Sequence, residues 1–172
     1  FKQEGDEVRF KESVVYYDCG WSNYYPSDNY PFMYKCRSAN SSIIKYRYAD
    51  VLLLKAEALI MQDTPDLEGA ADIIDEVRDR AKLGALSSST RSNKDALLNA
   101  LLKERRLELA FEGQRWFDLV RLDKVEEVMN AVHAKDSGRK AQVYTYDKNS
   151  YRLPIPQSVI DANDKIHQNP GY

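Results

Sequence analysis

The stretch from Leu101 to Arg121, LLKERRLELAFEGQRWFDLVR, constrains the fold of this chain more than any other. It predicts one helix, a break at Gly113 and a second helix. The first helix carries leucines on nearly every side, which is typical of a helix buried on all sides. Glu104, Glu108 and Glu112 nevertheless follow one line along it, and buried carboxylates need cationic partners. The stretch is therefore either the ion-paired centre of a helical domain or an acid/base site.

The neighbouring arginines favour the first interpretation. Two carboxylates about 5–10 Å apart are what a glycosidase requires, and helical i, i+4 spacing provides about 6 Å. Arginine neighbours, however, keep carboxylates ionised, whereas a catalytic acid needs a raised pKa. We therefore predict a structural ion-pair network without catalysis, in which the glutamates contact Arg47, Arg115 or Arg121. The predicted members of the network are Arg47, Glu104, Arg105, Glu108, Glu112, Arg115 and Arg121.

Size and composition exclude several classes of protein. The 172 residues fit one domain or part of a larger one, and the fractions of hydrophobic (43%) and charged (30%) residues are ordinary for a soluble globular protein. A net charge of -2 argues against a dedicated nucleic-acid-binding protein. No apolar run approaches the roughly 20 residues of a membrane span. His133 and His167 stand alone and no phosphate-binding motif is found, so we predict no metal and no cofactor.

The first half of the chain predicts a pair of antiparallel helices. One runs from a cap at Ser41 or Ser42 to about Gln62, and the other follows Thr64-Pro65 and stops at Gly84. The pair resembles one tetratricopeptide-type repeat, although no second copy is visible. Small residues that permit close approach of the two helices are Ala56, Ala58, Ala70 and Ala71. Two of the predicted helices are too apolar for a two-layer hairpin, so further helical partners are expected.

The second half predicts two central helices. Ser92 or Asn93 caps a helix from Lys94 to about Glu112, and another continues from Arg115 to about Val132 with an interruption near Asp123.

The remaining C-terminal residues predict little regular structure. A loop is expected over 135–141, a short β-hairpin over 143–153, and at most two helical turns after Pro156. The expected fold is mainly α, with long irregular loops and at most short β-hairpins. Its segments are 1–43 (strand and aromatic loop), 44–84 (helical hairpin), 92–132 (central helices) and 133–172 (loop and tail).

The first 40 residues lack helical character. Apolar and polar residues alternate from Val8 to Tyr16 and predict a strand. The following segment, Tyr16 to Cys36, combines glycine, prolines and asparagines with many aromatic residues, which predicts a loop. Cys19 and Cys36 flank this loop, and the sequence leaves open whether they form a disulfide or stay free thiols.

Aromatic residues of this loop are the candidate ligand contacts. Flat rings stack on the apolar faces of sugars, and neighbouring side chains such as Asn23 and Asp28 can bond hydroxyl groups. Loops also carry binding residues disproportionately. The alternative, in which the rings belong to the core or to a lid, stays open. The selected residues are Trp21, Tyr24, Tyr25 and Tyr30.

Three segments carry a family resemblance. They are RYADVLLLKAEAL at 47–59, ERRLELAFEGQRWFDLVR at 104–121, and LPIPQSVID with QNPGY between 153 and 172. In this order and spacing they resemble the C-terminal part of the SusD/RagB family, the surface nutrient-binding lipoproteins of Bacteroidetes. The resemblance covers most of residues 44–172. The start at Phe1, without a signal sequence, is interpreted as that of a processed chain or a fragment.

The resemblance implies a SusD-like helical fold and a role without catalysis. It implies an oligosaccharide ligand, a SusC-like TonB-dependent transporter as partner, and a surface position at the outer membrane. It also implies a lipid anchor and several further helical pairs in an N-terminal part outside this chain. The family's motif residues read as scaffold; they include Arg47, Glu57, Glu104, Arg105, Glu108, Glu112, Arg115 and Asp118.

Two alternatives remain beside this reading. In one, the region supports the fold and contacts the transporter while the ligand residues lie elsewhere. In the other, the nutrient is a peptide or another compound that is not a glycan.

Overall fold

A computed structural model of the chain describes residues 1–21, 29–38, 42–135 and 145–172. Over these residues the protein is mainly helical, as the sequence predicts, with one two-stranded sheet. The helices are α1 (Glu7–Ser13), α2 (Tyr48–Met61), α3 (Leu67–Arg80), α4 (Ser88–Arg91), α5 (Lys94–Glu108), α6 (Arg115–Arg121), α7 (Val125–Lys135) and α8 (Gln157–Asp161). The strands are β1 (Val14–Tyr17) and β2 (Tyr30–Met33), and short 3-10 helices span Lys2–Glu4 and Lys148–Tyr151. The chain forms two compact units, Phe1–Arg115 and Trp116–Tyr172.

The core of the first unit lies between α2, α3 and α5. The predicted helical hairpin is present, because α2 and α3 pack against each other, and α5 packs against both. The core side chains are Leu53, Ala56, Ile60, Ala70, Ala71, Ile74, Val77, Leu97 and Leu101. Ala58 is exposed, so its predicted place in the hairpin contact is wrong. A step of two residues turns a helix by about 200°, so Ala58 faces away from the buried Ala56.

The hairpin helices begin later than the sequence predicts. α2 begins at Tyr48 rather than near Ser42, and residues 42–47 precede it without regular structure. Arg47 occupies the N-cap position without a side-chain cap bond, because a guanidinium has no hydrogen-bond acceptor. Its donors bind glutamates of the α5 region. α3 is capped by Asp66 rather than Thr64, because the Asp66 carboxylate accepts from the Gly69 backbone N at 2.9 Å.

α5 has the predicted cap but ends one turn earlier. The Asn93 side chain accepts from the backbone N of Ala96 at 2.9 Å, which confirms the predicted start. The helix ends at Glu108 rather than Glu112. Left-handed backbone conformations at Phe111 (φ 67°) and Gly113 (φ 78°) turn the chain before α6. Within the predicted loop before α5, the structure adds the short helix α4.

The predicted N-terminal strand is wrong over its first half. Residues from Glu7 to Ser13 form α1, whose N-cap Asp6 accepts from the Arg9 backbone N. The cap and the buried ion pairs of Arg9 outweigh the apolar alternation that indicated a strand. Only β1 remains of it, paired antiparallel with β2 so that Val15 faces Phe32 and Tyr17 faces Tyr30.

The second unit contains most of α6, then α7, a 3-10 helix and α8. The predicted interruption near Asp123 is confirmed, since that residue separates α6 from α7 with φ 54°. The β-hairpin predicted over 143–153 is wrong in its described part. Lys148–Tyr151 is a 3-10 helix instead, because Asp147 accepts from two following backbone N–H groups. The short α8 matches the predicted turns after Pro156, and most of the predicted loop at 135–141 lies outside the described residues.

Candidate functional site

The glutamate line of α5 and the turn after it is the centre of a buried ion-pair network. The carboxylates of Glu104, Glu108 and Glu112 are almost completely buried in the described residues, and each contacts at least two cations. Buried carboxylates are tolerated only when positive charges and hydrogen bonds replace water. The network therefore accounts for how a helix with leucines on most sides can also carry acids.

Arg47 and Lys35 hold the C-terminal end of α5. Arg47 donates Nη1 to Glu108 at 2.6 Å and Nε to Glu112 at 2.8 Å. Lys35 forms an ion pair with Glu112 and donates to the carbonyls of Glu108 at 2.8 Å and Ala110 at 3.2 Å. Cations at this position satisfy carbonyls that lack helical partners and interact favourably with the helix dipole.

Three further arginines bind the same carboxylates. Arg9 of α1 donates Nη1 to Glu104 at 2.6 Å and to Glu108 at 3.1 Å. Arg78, near the end of α3, donates to Glu104 at 3.3 Å, and Arg80 pairs with Glu108. The network thereby joins α1, α3 and α5 with the residue that precedes α2.

The electrostatics of Glu108 are those of an ionised structural group. Burial opposes its ionisation, but hydrogen bonds from Arg47, the charges of Arg47 and Arg80, and the Arg9 hydrogen bond outweigh burial. The pKa of the Glu108 carboxyl is therefore lowered from its ordinary value of 4.5. The pKa of Arg47 is likewise raised, although burial opposes it, because of its bonds to both glutamates. A general acid at neutral pH needs a raised carboxyl pKa, which is the opposite shift.

Three other residues of the predicted network have different contacts. Arg105 points to Asp50 of α2, with Nη1 2.9 Å from Oδ1 in a buried pair. Arg115 donates to the Leu102 carbonyl at 3.2 Å. Arg121 pairs with Asp118 at 2.8 Å within the second unit.

Sequence reasoning did not select four cations of the network: Arg9, Lys35, Arg78 and Arg80. Arg9 lies 95 positions before Glu104, and no local pattern links the two. A usable signal for α1 was present, because Asp6 followed by Glu7 is an N-cap pattern. Arg78 and Arg80 occupy the last turn of a helix, where cations are common.

A cavity of about 280 Å³ borders the network. Its charged lining residues are Arg9, Glu12, Lys35, Arg47, Arg80, Glu108 and Glu112. All of these charges are paired, since even Glu12 binds Arg37. Because opposite charges already satisfy one another there, the cavity offers a ligand little that the network does not use itself.

A second cavity, of about 450 Å³, lies beside the β1–β2 hairpin and is mostly aromatic and apolar. We name it the hairpin groove; its lining residues are Val15, Tyr17, Asp18, Cys19, Trp21, Phe32, Met33 and Tyr34. Its volume is that of ordinary small-ligand pockets, which combine apolar walls with a few polar groups. Asp18 supplies a carboxylate, and one of its oxygens accepts from the Asn29 backbone N at 2.9 Å.

The predicted ligand contacts have different positions around this groove. Trp21 lines it with 78% of its surface exposed. Tyr30 is not among the lining residues; its ring packs edge-on against Phe32 with centroids 5.2 Å apart. Tyr24 and Tyr25 lie outside the described residues, as do Asn23 and Asp28. Tyr17 and Phe32, which sequence reasoning did not select, join Trp21 at the groove because strand pairing brings them together.

Cysteines and acids form no metal site in the part of the chain that the structure describes. No group of three or more His, Cys, Asp or Glu side chains is placed to hold an ion there. Cys19, which is buried and lines the groove, and Cys36 are both free thiols. Among the same residues, no helix has the length and hydrophobicity to cross a membrane.

Comparison with known proteins identifies the family. The model of the SusD family matches residues 27–172. This chain belongs to the SusD family. The match includes Lys35, Arg47 and the whole glutamate line, whereas Arg9 and Trp21 lie before it.

Two SusD-like proteins of Formosa agariphila are similar to this SusD-family chain. SusD-like protein P38 is 41% identical over 139 residues, which are 77% of this chain and 25% of P38. SusD-like protein P2 is 34% identical over 142 residues, which are 79% of this chain and 27% of P2. The chain therefore spans about a quarter of the length of these relatives.

Solved structures of SusD-like proteins share the fold. One from Bacteroides fragilis is 27% identical with a TM-score of 0.63, over 83% of this chain and 30% of that chain. A SusD superfamily protein from Bacteroides vulgatus has a TM-score of 0.69 at 22% identity, over 95% of this chain and 39% of that chain. The SusD-like helical fold predicted from the sequence is thus confirmed.

Proposed function

We propose that this chain is part of a nutrient-binding protein at the bacterial cell surface that captures oligosaccharide without catalysis. The captured glycan passes to a SusC-like TonB-dependent transporter in the outer membrane. A lipid anchor elsewhere in the protein holds the protein at that membrane. Membership of the SusD family supports this role. The single observation that carries the ligand assignment is the exposed ring of Trp21 at an aromatic groove.

The chemistry of the hairpin groove suits a sugar. Trp21 and Tyr17 are both more than half exposed, so their rings can stack on the C–H faces of a pyranose. Asp18 can accept a hydrogen bond from a sugar hydroxyl beside them. A few large aromatic anchors usually supply most of the binding energy of such a surface. We propose Trp21 and Tyr30 as ligand contacts at this groove, with Tyr30 acting through Phe32. Tyr24 and Tyr25 stay ligand contacts proposed from the sequence alone.

We propose a role without catalysis because the buried glutamates are paired with cations and kept ionised. The glutamate line is the acidic cluster with the spacing that a glycosidase could use, and its carboxylates bind arginines and a lysine. The lowered pKa of Glu108 leaves it unable to act as a proton donor at neutral pH. A glycosidase would also need room for a sugar between two carboxyl groups. Here arginine side chains occupy the space around them.

The test is a binding experiment on the full-length protein. The protein is first screened against panels of neutral oligosaccharides and of peptides. The oligosaccharide that binds most tightly is then titrated by calorimetry. We expect Trp21→Ala to lower the affinity by about tenfold, because loss of a stacking ring costs roughly 1–2 kcal/mol. Phe117→Ala is the matched control, since Phe117 is also an exposed aromatic ring but lies outside the groove.

Each other outcome points to a different role. Unchanged affinity of Trp21→Ala for a bound glycan places the ligand residues elsewhere and leaves this region as scaffold and transporter contact. Binding only to the peptide panel replaces the glycan with another nutrient. New reducing ends after incubation with the oligosaccharides would mean that the protein is an enzyme.

A further inference from the structure

The hairpin groove carries a negative charge that the described part of the chain does not balance. Asp18 is the one charged residue among its described lining residues; the others are apolar or aromatic, apart from the thiol of Cys19. The Asp18 Oδ1 atom accepts from the Asn29 backbone N at 2.9 Å. Within residues 1–21, 29–38, 42–135 and 145–172, no lysine or arginine forms an ion pair with the Asp18 carboxylate. The groove therefore offers a ligand a carboxylate that no described cation already uses.

The aromatic wall of the same groove also suits a cation. The face of an aromatic ring is negative, so it attracts ammonium and guanidinium groups, and tryptophan attracts them most strongly. Tyr34 already holds such a group, since the Arg37 Cζ atom lies 4.4 Å from its ring centroid. The charge of Arg37 is balanced by its ion pair with Glu12. Tyr17 and Trp21 are more than half exposed, so their ring faces are accessible to a ligand.

Together the carboxylate and the rings distinguish ligands by charge. An ammonium group on a sugar would donate a charge-assisted hydrogen bond to Asp18 and would also be attracted by the neighbouring ring faces. A hydroxyl group in the same place donates to the carboxylate but brings no positive charge to the rings. A uronic acid or a sulfate would be repelled by the carboxylate and by the negative ring faces. The order of affinity expected at this groove is therefore cationic, then neutral, then anionic.

We propose that the hairpin groove selects oligosaccharides with free amino groups and that Asp18 determines this specificity. The inference rests on the proposed function, because it requires that the groove binds a glycan. A pyranose ring stacks on Trp21, and its ammonium group donates to Asp18 Oδ2, for which the described residues provide no hydrogen bond. Tyr17 also lines the groove and offers a ring face to the same ammonium.

Calorimetry on the full-length protein with three matched probes tests the charge preference. The probes are a short oligomer of β1,4-linked glucosamine and its two neutral counterparts, which carry N-acetylamino or hydroxyl groups in place of the amines. They are titrated at low salt and about pH 6, where an amine with the basicity of an α-amino group is protonated. We expect the glucosamine oligomer to bind at least about fivefold more tightly than either neutral oligomer, because it alone gains an ion pair and a cation–π contact. Added salt should reduce this preference.

A substitution at Asp18 separates its charge from its shape. Asp18→Asn keeps an oxygen that can accept from the Asn29 backbone N. We expect it to weaken binding of the glucosamine oligomer at least about threefold and to leave the affinity for the neutral oligomers within about twofold. Asp63→Asn is the matched control, since Asp63 is an exposed aspartate outside the groove, and it should keep the full preference.

Several outcomes would overturn the amino-sugar assignment. They are equal affinities for the three oligomers, no binding of the glucosamine oligomer, a preference that is unchanged in Asp18→Asn, and tighter binding of a lysine-containing peptide. Failure of this inference differs from failure of the proposed function. A neutral oligosaccharide that binds through Trp21, without any gain from amino groups, refutes the charge preference alone. Absence of binding to every oligosaccharide refutes glycan capture itself.

Discussion

Arg47 binds two carboxylates four residues apart in the sequence: its Nη1 lies 2.6 Å from Glu108 Oε1 and its Nε lies 2.8 Å from Glu112 Oε2. Because Arg47 immediately precedes α2 and Glu108 ends α5, this pair fixes the start of one core helix to the end of another. The same guanidinium also donates to the Glu108 carbonyl. The contact is thus a structural junction, and its stability can be measured.

Neutralising Glu108 should destabilise the first unit. Glu108→Gln keeps the shape of the side chain but leaves Arg9, Arg47 and Arg80 without their shared counter-charge. We expect a loss of about 3–5 kcal/mol in the free energy of unfolding, as for other broken buried ion pairs. Urea unfolding of the full-length protein measures it. The control Glu12→Gln breaks an exposed pair with Arg37 and should cost less than about 1 kcal/mol; equal losses would contradict a buried network.

The buried pair of Arg105 and Asp50 provides a second stability test. Arg105→Met leaves the Asp50 carboxylate buried without its main counter-charge, and we expect a loss of about 3–5 kcal/mol. Adding Asp50→Leu removes the stranded charge, so the double variant should be more stable than Arg105→Met alone. Together with the wild type and Asp50→Leu alone, these two variants form a double-mutant cycle, measured by urea unfolding. Additive losses in that cycle would mean that the two side chains do not stabilise each other.

Stability should fall in acid because of Glu108. Its pKa is lower in the folded protein than its ordinary value of 4.5, so the unfolded chain binds a proton more readily. The stabilisation is therefore complete above about pH 4.5 and is lost as the pH falls through the folded pKa. Urea unfolding at a series of pH values from 7 to below 4 measures this dependence. In Glu108→Gln, the free energy of unfolding should fall by less between pH 7 and the acid end of the series. An unchanged fall would assign the acid sensitivity to other carboxylates.

Lys35 should control how firmly the β1–β2 hairpin is held. Lys35→Met removes the ion pair with Glu112 and two hydrogen bonds to the end of α5. We expect faster amide hydrogen exchange over β2, with exchange in α3 unchanged, because the lost contacts are local. Lys11→Met is the control, since Lys11 is exposed and its only ion pair in the described residues is a long one, 3.9 Å from Glu7. Unchanged exchange in β2 would show that strand pairing alone holds the hairpin.

The parts of the fold that sequence predicts well are those with local causes. Asn93 caps α5 by accepting a hydrogen bond from the backbone N of Ala96, three positions away. Asp123 separates α6 from α7 because its backbone is left-handed. The α2–α3 hairpin follows from the apolar run of α2, the apolar stripe of α3 and the short connection between them, and these need no knowledge of the partner. Such features depend on a few adjacent residues, so they can be recognised from those residues alone.

The errors arise where a distant contact decides a local structure. Val8 and Phe10 alternate like strand residues, yet they belong to α1, whose Arg9 binds acids about a hundred positions away. α2 starts at Tyr48 and not at a serine cap, because Arg47 is held by Glu108 and Glu112. Local propensity is worth a few tenths to about 1 kcal/mol per residue, whereas leaving one member of a buried ion pair without its partner costs about 3–5 kcal/mol.

The stretch from Leu101 to Arg121 shows how the two levels divide. The sequence by itself determined that a helix with leucines on most sides must be buried and that Glu104, Glu108 and Glu112 must meet cations there. Only the tertiary structure decided which cations these are, because Arg9, Lys35, Arg78 and Arg80 reach the glutamates through the packing of separate elements. The requirement for a counter-charge is a property of a buried carboxylate. The choice of partner is a property of the distances that packing creates.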